Sequence, residues 1–114
     1  ERPCITRRFK IQTPTGPVRM YATVGLYADG APGELFLKVD QQGSTLSGFA
    51  DAVAVSVSIG LQHGVPLSIY VAKFRRSRFE PMGATGDAAQ PFASSLLDAL
   101  AGWLERRFGT EEKP

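Results

Sequence analysis

Few side chains of the bond-making types occur in this sequence. The cysteine candidate is Cys4, ahead of the first patterned segment. A thiol attacks as thiolate and needs a neighbouring base or a lowered pKa, and nothing near Cys4 in sequence supplies either. The single histidine, His63, stands beside Gly64 at the end of the longest apolar run. There a helix C-terminus favours the imidazolium, so capping or packing is its expected use. One cysteine with one histidine builds neither an intrachain disulfide nor a zinc tetrahedron. Asp29 and Glu34 flank a Gly-rich turn and could serve as an acid/base pair, but Asp-Gly is foremost turn chemistry. The expectation is no catalytic residue and no metal site, hence no enzyme on its own.

Binding groups are better represented. Gly43, Ser44 and Thr45 open the apolar run, and the free N–H groups of a helix start can hold a phosphate or carboxylate. The Walker spacing is missing, and capping is the plainer reading. Arg78, if folded back to this start, would clamp the same anion bidentately; its alternative is an ion pair with Glu80 or Glu34. A second candidate gathers Arg8, Lys10, Arg19, Tyr21, Phe36 and Lys38, together with Tyr27, on one side of three strand-like segments. Bases and aromatics interleaved in this way can bind phosphates and stack nucleobases, the pattern of a nucleotide or single-stranded nucleic-acid binder. No RNP-type string accompanies it, and a solvated face or one covered by a second subunit is the plainer reading.

Positioning these groups requires elements. Ile5, Arg7, Phe9 and Ile11 alternate with Thr6, Arg8, Lys10 and Gln12, a period of two that predicts a strand. Thr13-Pro14-Thr15-Gly16-Pro17 breaks it and predicts a hairpin. Val18, Met20, Ala22, Val24 and Leu26 resume the alternation, and after Asp29-Gly30 and Ala31-Pro32-Gly33 it continues through Leu35, Leu37 and Val39. Short turns between consecutive strands make an antiparallel meander, which usually buries one face.

In the run 43–67, Val53 to Ile59 alternates like a strand, whereas Leu46, Phe49, Ala50, Val53, Val57, Gly60 and Leu61 recur at helical spacing. Ser44, Ser47, Asp51, Ser58 and Gln62 form the opposite, polar stripe. Over its whole length the run reads as a helix buried on most sides, with Ser44 or Thr45 as N-cap and Gly64 as its stop. Leu67, Tyr70, Val71 and Phe74 predict a shorter helix after Pro66, although Ile69-Tyr70-Val71 also suits a strand. A loop over 82–90 leads to Pro91, which is expected to open a last helix through Phe92, Leu96, Leu100, Trp103 and Phe108. Residues 110–114 read as a frayed tail. The fold class is α+β: a three-stranded antiparallel meander packed on a long, mostly buried helix, with two further C-terminal helices, in a single domain over 1–114.

Composition fits such a domain, with 43% hydrophobic and 21% charged residues among 114 and a net charge of +2 that decides little about partners. Asp51, the serines and the glycines argue against a membrane span in the apolar run. No signal-peptide pattern opens the sequence, and a cytoplasmic protein is expected.

The strings Val24-Gly25-Leu26-Tyr27-Ala28-Asp29-Gly30, Pro32-Gly33-Glu34-Leu35-Phe36, Gly43-Ser44-Thr45 with Ser47-Gly48, Gly60-Leu61-Gln62-His63-Gly64-Val65-Pro66-Leu67 and Arg78-Phe79-Glu80-Pro81 occur in this order. Together they resemble the TSCPD domain, in the version found near the C-terminus of adenosylcobalamin-dependent (class II) ribonucleotide reductases. The resemblance covers residues 5–108 and supports the helical reading of 43–64. Where the family carries Thr-Ser-Cys-Pro-Asp, this chain reads Ser47-Gly48-Phe49-Ala50-Asp51. In those reductases the radical chemistry, adenosylcobalamin and substrate belong to a large catalytic barrel with paired cysteines. The resemblance therefore implies an accessory or regulatory module of deoxyribonucleotide synthesis that holds no cofactor itself. Its implied partner is a reductase catalytic chain, with a nucleotide or other anion and self-association as further expectations.

Overall fold

The computed structural model describes residues 3–40, 43–79 and 81–109; the frayed tail expected at 110–114 lies outside them. Strands β1 (Cys4–Thr13), β2 (Gly16–Leu26) and β3 (Pro32–Val39) form an antiparallel sheet in that order. The first hairpin turns on Pro14-Thr15: Thr13 Oγ1 donates to Gly16 O at 2.6 Å, and Gly16 takes φ 118°. In the second turn Asp29 Oδ1 accepts from Ala31 N at 2.9 Å, so the carboxylate does turn chemistry. Alternation sends Phe9, Ile11, Met20, Ala22, Val24, Leu35, Leu37 and Val39 into one buried face. Helices α1 (Ser44–Gln62), α2 (Leu67–Phe74) and α3 (Leu96–Phe108) complete the fold, with α1 against β3, α3 against β1 and α2 against α3. The described elements share one core, in which Trp103 meets Phe9 edge-on at 5.9 Å.

The α+β meander and the three helices stand as expected, but α1 is not buried on most sides. It lies along the exposed edge of β3, where Ser58 Oγ accepts from Leu35 N at 2.8 Å and donates to Leu35 O at 3.1 Å. Gln62 Nε2 adds a bond to Gly33 O at 3.2 Å. Two residues of the polar stripe, Ser58 and Gln62, thus close part of a sheet edge that would otherwise present unpaired peptide groups. Phe49, read as inward, is 69% exposed, and Val55 and Ile59 are exposed too. The physical reason is that a helix beside a sheet edge is covered along one flank only: Leu46, Ala50, Val53, Ala54, Val57 and Leu61 fill that flank, Ser58 and Gln62 bond the strand beside it, and Phe49 falls outside it. By length and composition Thr45–Gln62 would suffice to cross a bilayer; here this helix rests on the sheet. Ser58→Ala is expected to cost about 1–2 kcal/mol by stranding the Leu35 peptide groups, seen as a lower urea midpoint with more aggregation at equal concentration.

Two helix starts also differ. Gly43, with φ −65° and ψ 167°, is the N-cap of α1 and lends no side chain, so neither Ser44 nor Thr45 caps it. The last helix begins at Leu96, not Pro91: Ser95 is its N-cap, and Ser95 Oγ accepts from Asp98 N at 3.0 Å. A Ser-x-x-Asp cap outweighed the proline signal, because it satisfies a free helix N–H whereas proline merely lacks one. The segment ahead of it pairs as a short ribbon of β4 (Gly83–Ala84) and β5 (Phe92–Ala93). Gly83, at φ 156°, lies so close to β1 that a Cβ would come within 2.6 Å of Gln12 O. With Arg7 Nη2 bonded to Asp87 Oδ2 at 2.9 Å, this ribbon and its loop cover the β1 edge.

Candidate functional site

With both edges and the inner face covered, the outer face of the sheet remains open. Register decides what it shows. Lys10 faces Arg19; Arg8 faces Tyr21, which faces Lys38; Thr6 faces Thr23, which faces Phe36. Neighbouring strands lie about 4.8 Å apart, so Tyr21 is flanked by a cation on either side. Arg8 and Lys38 are exposed, Phe36 is 55% exposed, and Lys10, Arg19 and Tyr21 are half-buried. Thr6 and Thr23 share a hydroxyl hydrogen bond at 3.0 Å between the basic rows and Phe36. The six residues singled out in the sequence are therefore brought together on one surface. Tyr27 is not in these rows. It follows the irregularity at Gly25/Leu26, and its ring packs where a Cβ on Gly33 would fall 2.6 Å away.

Charge is distributed unevenly across the sheet. On the helix side Arg7 and Arg106 pair with Asp87, and Arg75 pairs with Asp98 and Glu105. Among the described residues no ion pair involves Arg8, Lys10, Arg19 or Lys38. Asp40, whose N–H donates to Arg19 O at 2.9 Å, bounds the patch at one end, and Glu34, opposite Gly25, bounds it at the other.

The second candidate does not come together in this way. Gly43 and Thr45 are exposed at the start of α1, and Arg78 is exposed in the segment after α2. No hydrogen bond or ion pair among the described residues joins Arg78 to them, and the Ser44 side chain lies outside those residues. His63 serves as expected: it is the C-cap of α1, with Nδ1 at 2.9 Å from Ile59 O. Among the described residues no cluster of three or more His, Cys, Asp or Glu is placed to hold a metal.

Two features escaped the sequence reading. Asp98 is a buried hub, accepting from Arg76 N at 2.8 Å, Ser94 N at 3.1 Å and Gln90 Nε2 at 3.2 Å, with Arg75 Nε at 3.4 Å. Burial alone would raise its pKa. The Arg76 and Ser94 N–H groups, the Arg75 charge and the Ser94 hydroxyl reverse this and hold the carboxyl below its ordinary value. Its signal was the string Ser95-Leu96-Leu97-Asp98, a capping box ahead of an apolar run. The other is an apolar groove of about 90 Å³ formed by Leu46, Phe49, Ala50 and Val53 of α1 with Phe79 and Leu97. Trp103 of α3 is buried in the core.

The TSCPD domain profile matches residues 1–108. Over 103 residues the chain is 43% identical to a vitamin B12-dependent ribonucleotide reductase of Rhodopirellula baltica, covering 90% of this chain and 10% of that protein. A reductase of the same name from Streptantibioticus cattleyicolor is 47% identical over 99 residues, covering 87% of this chain and 16% of that protein. Another, from Bradyrhizobium diazoefficiens, is 42% identical over 84 residues, or 73% of this chain and 7% of that protein. The chain thus spans roughly a tenth of the length of the curated relatives it matches. No solved structure matches it. The ordered strings, the meander with its long edge helix and the profile over residues 1–108 agree, and the chain belongs to the TSCPD domain family.

Proposed function

We propose that this domain is an accessory or regulatory module of a vitamin B12-dependent ribonucleotide reductase, working in the cytoplasm through contact with the reductase catalytic region. The observation that carries the reading is coverage: relatives bearing that name match 87–90% of this chain with only 10–16% of their own length. In them the domain is one small part of a reductase polypeptide. The apolar groove supports a contact role, because Phe49 and Phe79 stand exposed beside it at 69% and 43%. Aromatics at the rim of an apolar pocket are the usual anchors of a protein interface. Cobalamin stays with the catalytic region in this reading. The groove of about 90 Å³ is too small for a corrin ring.

Titration of the protein against the reductase catalytic region tests this. Association is expected, with a loss of at least tenfold for Phe49→Asp combined with Phe79→Asp, since each buries a charge at the contact. Both positions are exposed, so the variant should keep its fold, which circular dichroism checks. No association with the catalytic region at any concentration, or equal association by the variant, overturns the reading.

A further inference from the structure

We propose that the open sheet face is a binding surface for single-stranded nucleic acid, with Arg8, Lys10, Arg19 and Lys38 on the phosphates and with Tyr21 and Phe36 under the bases. The register builds this surface rather than mere proximity in sequence. Tyr21 sits at its centre between Arg8 and Lys38, the Lys10–Arg19 pair lies one row along, and Phe36 lies one row the other way. Alternate residues on a strand are about 6.7 Å apart, so these rows extend about 13 Å along the sheet. That length suits two or three successive nucleotides, the number that a sheet with aromatic platforms commonly stacks. A mononucleotide would engage only part of it.

Charge complementarity selects the occupant. The cations of the helix side are already neutralised by Asp87, Asp98 and Glu105, whereas these four have no carboxylate partner among the described residues. A second copy of this face is a poor occupant, because a two-fold pairing sets one four-cation face against another with no carboxylate between them. An acidic protein segment would satisfy the cations and leave Tyr21 and Phe36 without stacking partners. A polyphosphate chain carrying flat bases satisfies both groups.

The inference is independent of the reductase reading, since it is measured with no reductase present. Fluorescein-labelled oligo(U) and oligo(dT) of about twelve nucleotides are titrated with the purified protein across a salt series. Binding is expected to weaken with a slope of log affinity on log salt near −3, from about −0.7 for each of four phosphate contacts. Replacing Arg8, Lys10, Arg19 and Lys38 by Gln should abolish it. Tyr21→Ser should weaken it roughly tenfold, the scale of one lost base stack. A preference for oligo(U) identifies RNA, through the 2′-hydroxyl, and equal or better binding of oligo(dT) identifies single strands in general. If the fourfold variant does not fold, Arg8→Gln with Lys38→Gln, both at exposed positions, should reduce the slope by about 1.4. No binding at low salt, an unchanged slope in the charge variants, or unchanged affinity in Tyr21→Ser overturns the proposal. Displacement by poly-glutamate as effective as by unlabelled oligonucleotide also overturns it, in favour of an acidic protein partner.

Discussion

Asp98→Ala is expected to lower the unfolding free energy by about 3 kcal/mol, at the low end of what removing one partner of a buried ion pair costs. The loss is large because one carboxylate ties three segments together. Its carboxylate holds the N–H of Arg76 at the turn after α2, the N–H of Ser94 ahead of α3, and Gln90 in the loop, while its own N–H completes the Ser95 cap. Without it, the buried Ser94 N–H and the half-buried Arg76 and Gln90 donors lose their acceptor at once. Arg76 also holds φ 64°, an unfavourable conformation for a residue other than glycine, and the Asp98 bond is what its N–H gains there. Arg75 retains Glu105 at 2.9 Å, which moderates the effect. Urea denaturation measures the change, and a loss below about 1 kcal/mol would mean that water replaces the carboxylate.

The same carboxyl gives the pH dependence a definite sign. Its pKa is lower folded than unfolded, so the native state binds its proton less readily. Its stabilisation is therefore complete above the unfolded value of about 3.9 and disappears as pH falls through the folded value. Asp98→Asn keeps the shape and removes the titration. The variant should be less stable than the parent at neutral pH, and the two curves should converge as the medium is made strongly acidic. Parallel curves would assign the acid transition to other carboxylates.

Trp103→Ala is the second large effect, about 3–5 kcal/mol, within the range for deleting a buried aromatic. Trp103 is 6% exposed between Phe9 of β1, at 5.9 Å, and Phe108, at 6.4 Å, both edge-on. It is the wedge by which α3 grips the sheet, and its removal opens a cavity that the flanking rings cannot fill without leaving their edge-on geometry. Against a total stability of about 5–15 kcal/mol, much of the fold's margin is lost. Differential scanning calorimetry should show a midpoint lower by roughly ten degrees or more. Trp103→Phe, which keeps a ring in place, should recover most of the difference. If Ala and Phe behaved alike, the packing account of α3 would be wrong.

The proposed roles use surfaces that the core leaves free. The apolar groove lies between the first half of α1 and Phe79, and the basic face lies on the other side of the sheet. Substitutions at Phe49 and Phe79 should therefore leave oligonucleotide binding unchanged, and substitutions at Arg8 and Lys38 should leave the reductase contact unchanged.

The sequence by itself determined the meander, because a period of two in three consecutive segments admits little else, and glycine and proline marked the turns between them. It also determined which residues share the outer face. Alternation alone put Arg8, Lys10, Arg19, Tyr21, Phe36 and Lys38 on one side, and the structure finds them there. The family was legible as well, in strings whose order outlasts substitution at Phe49. The apolar flank of α1 was legible too, since Leu46, Ala50, Val53, Val57 and Leu61 all meet the core, and only the tertiary structure decided where that flank ends. Periodicity gives a helix an apolar flank and a polar one but not what each will meet, and the edge of β3 claimed Ser58 and Gln62 while Phe49 was left in water. Asp98 was hidden for a related reason: its partners Arg75 and Arg76 are more than twenty residues away in the chain, and only folding brings them to it. Local pattern sets the period of an element, whereas burial and hydrogen bonding are settled by whichever distant segment arrives beside it.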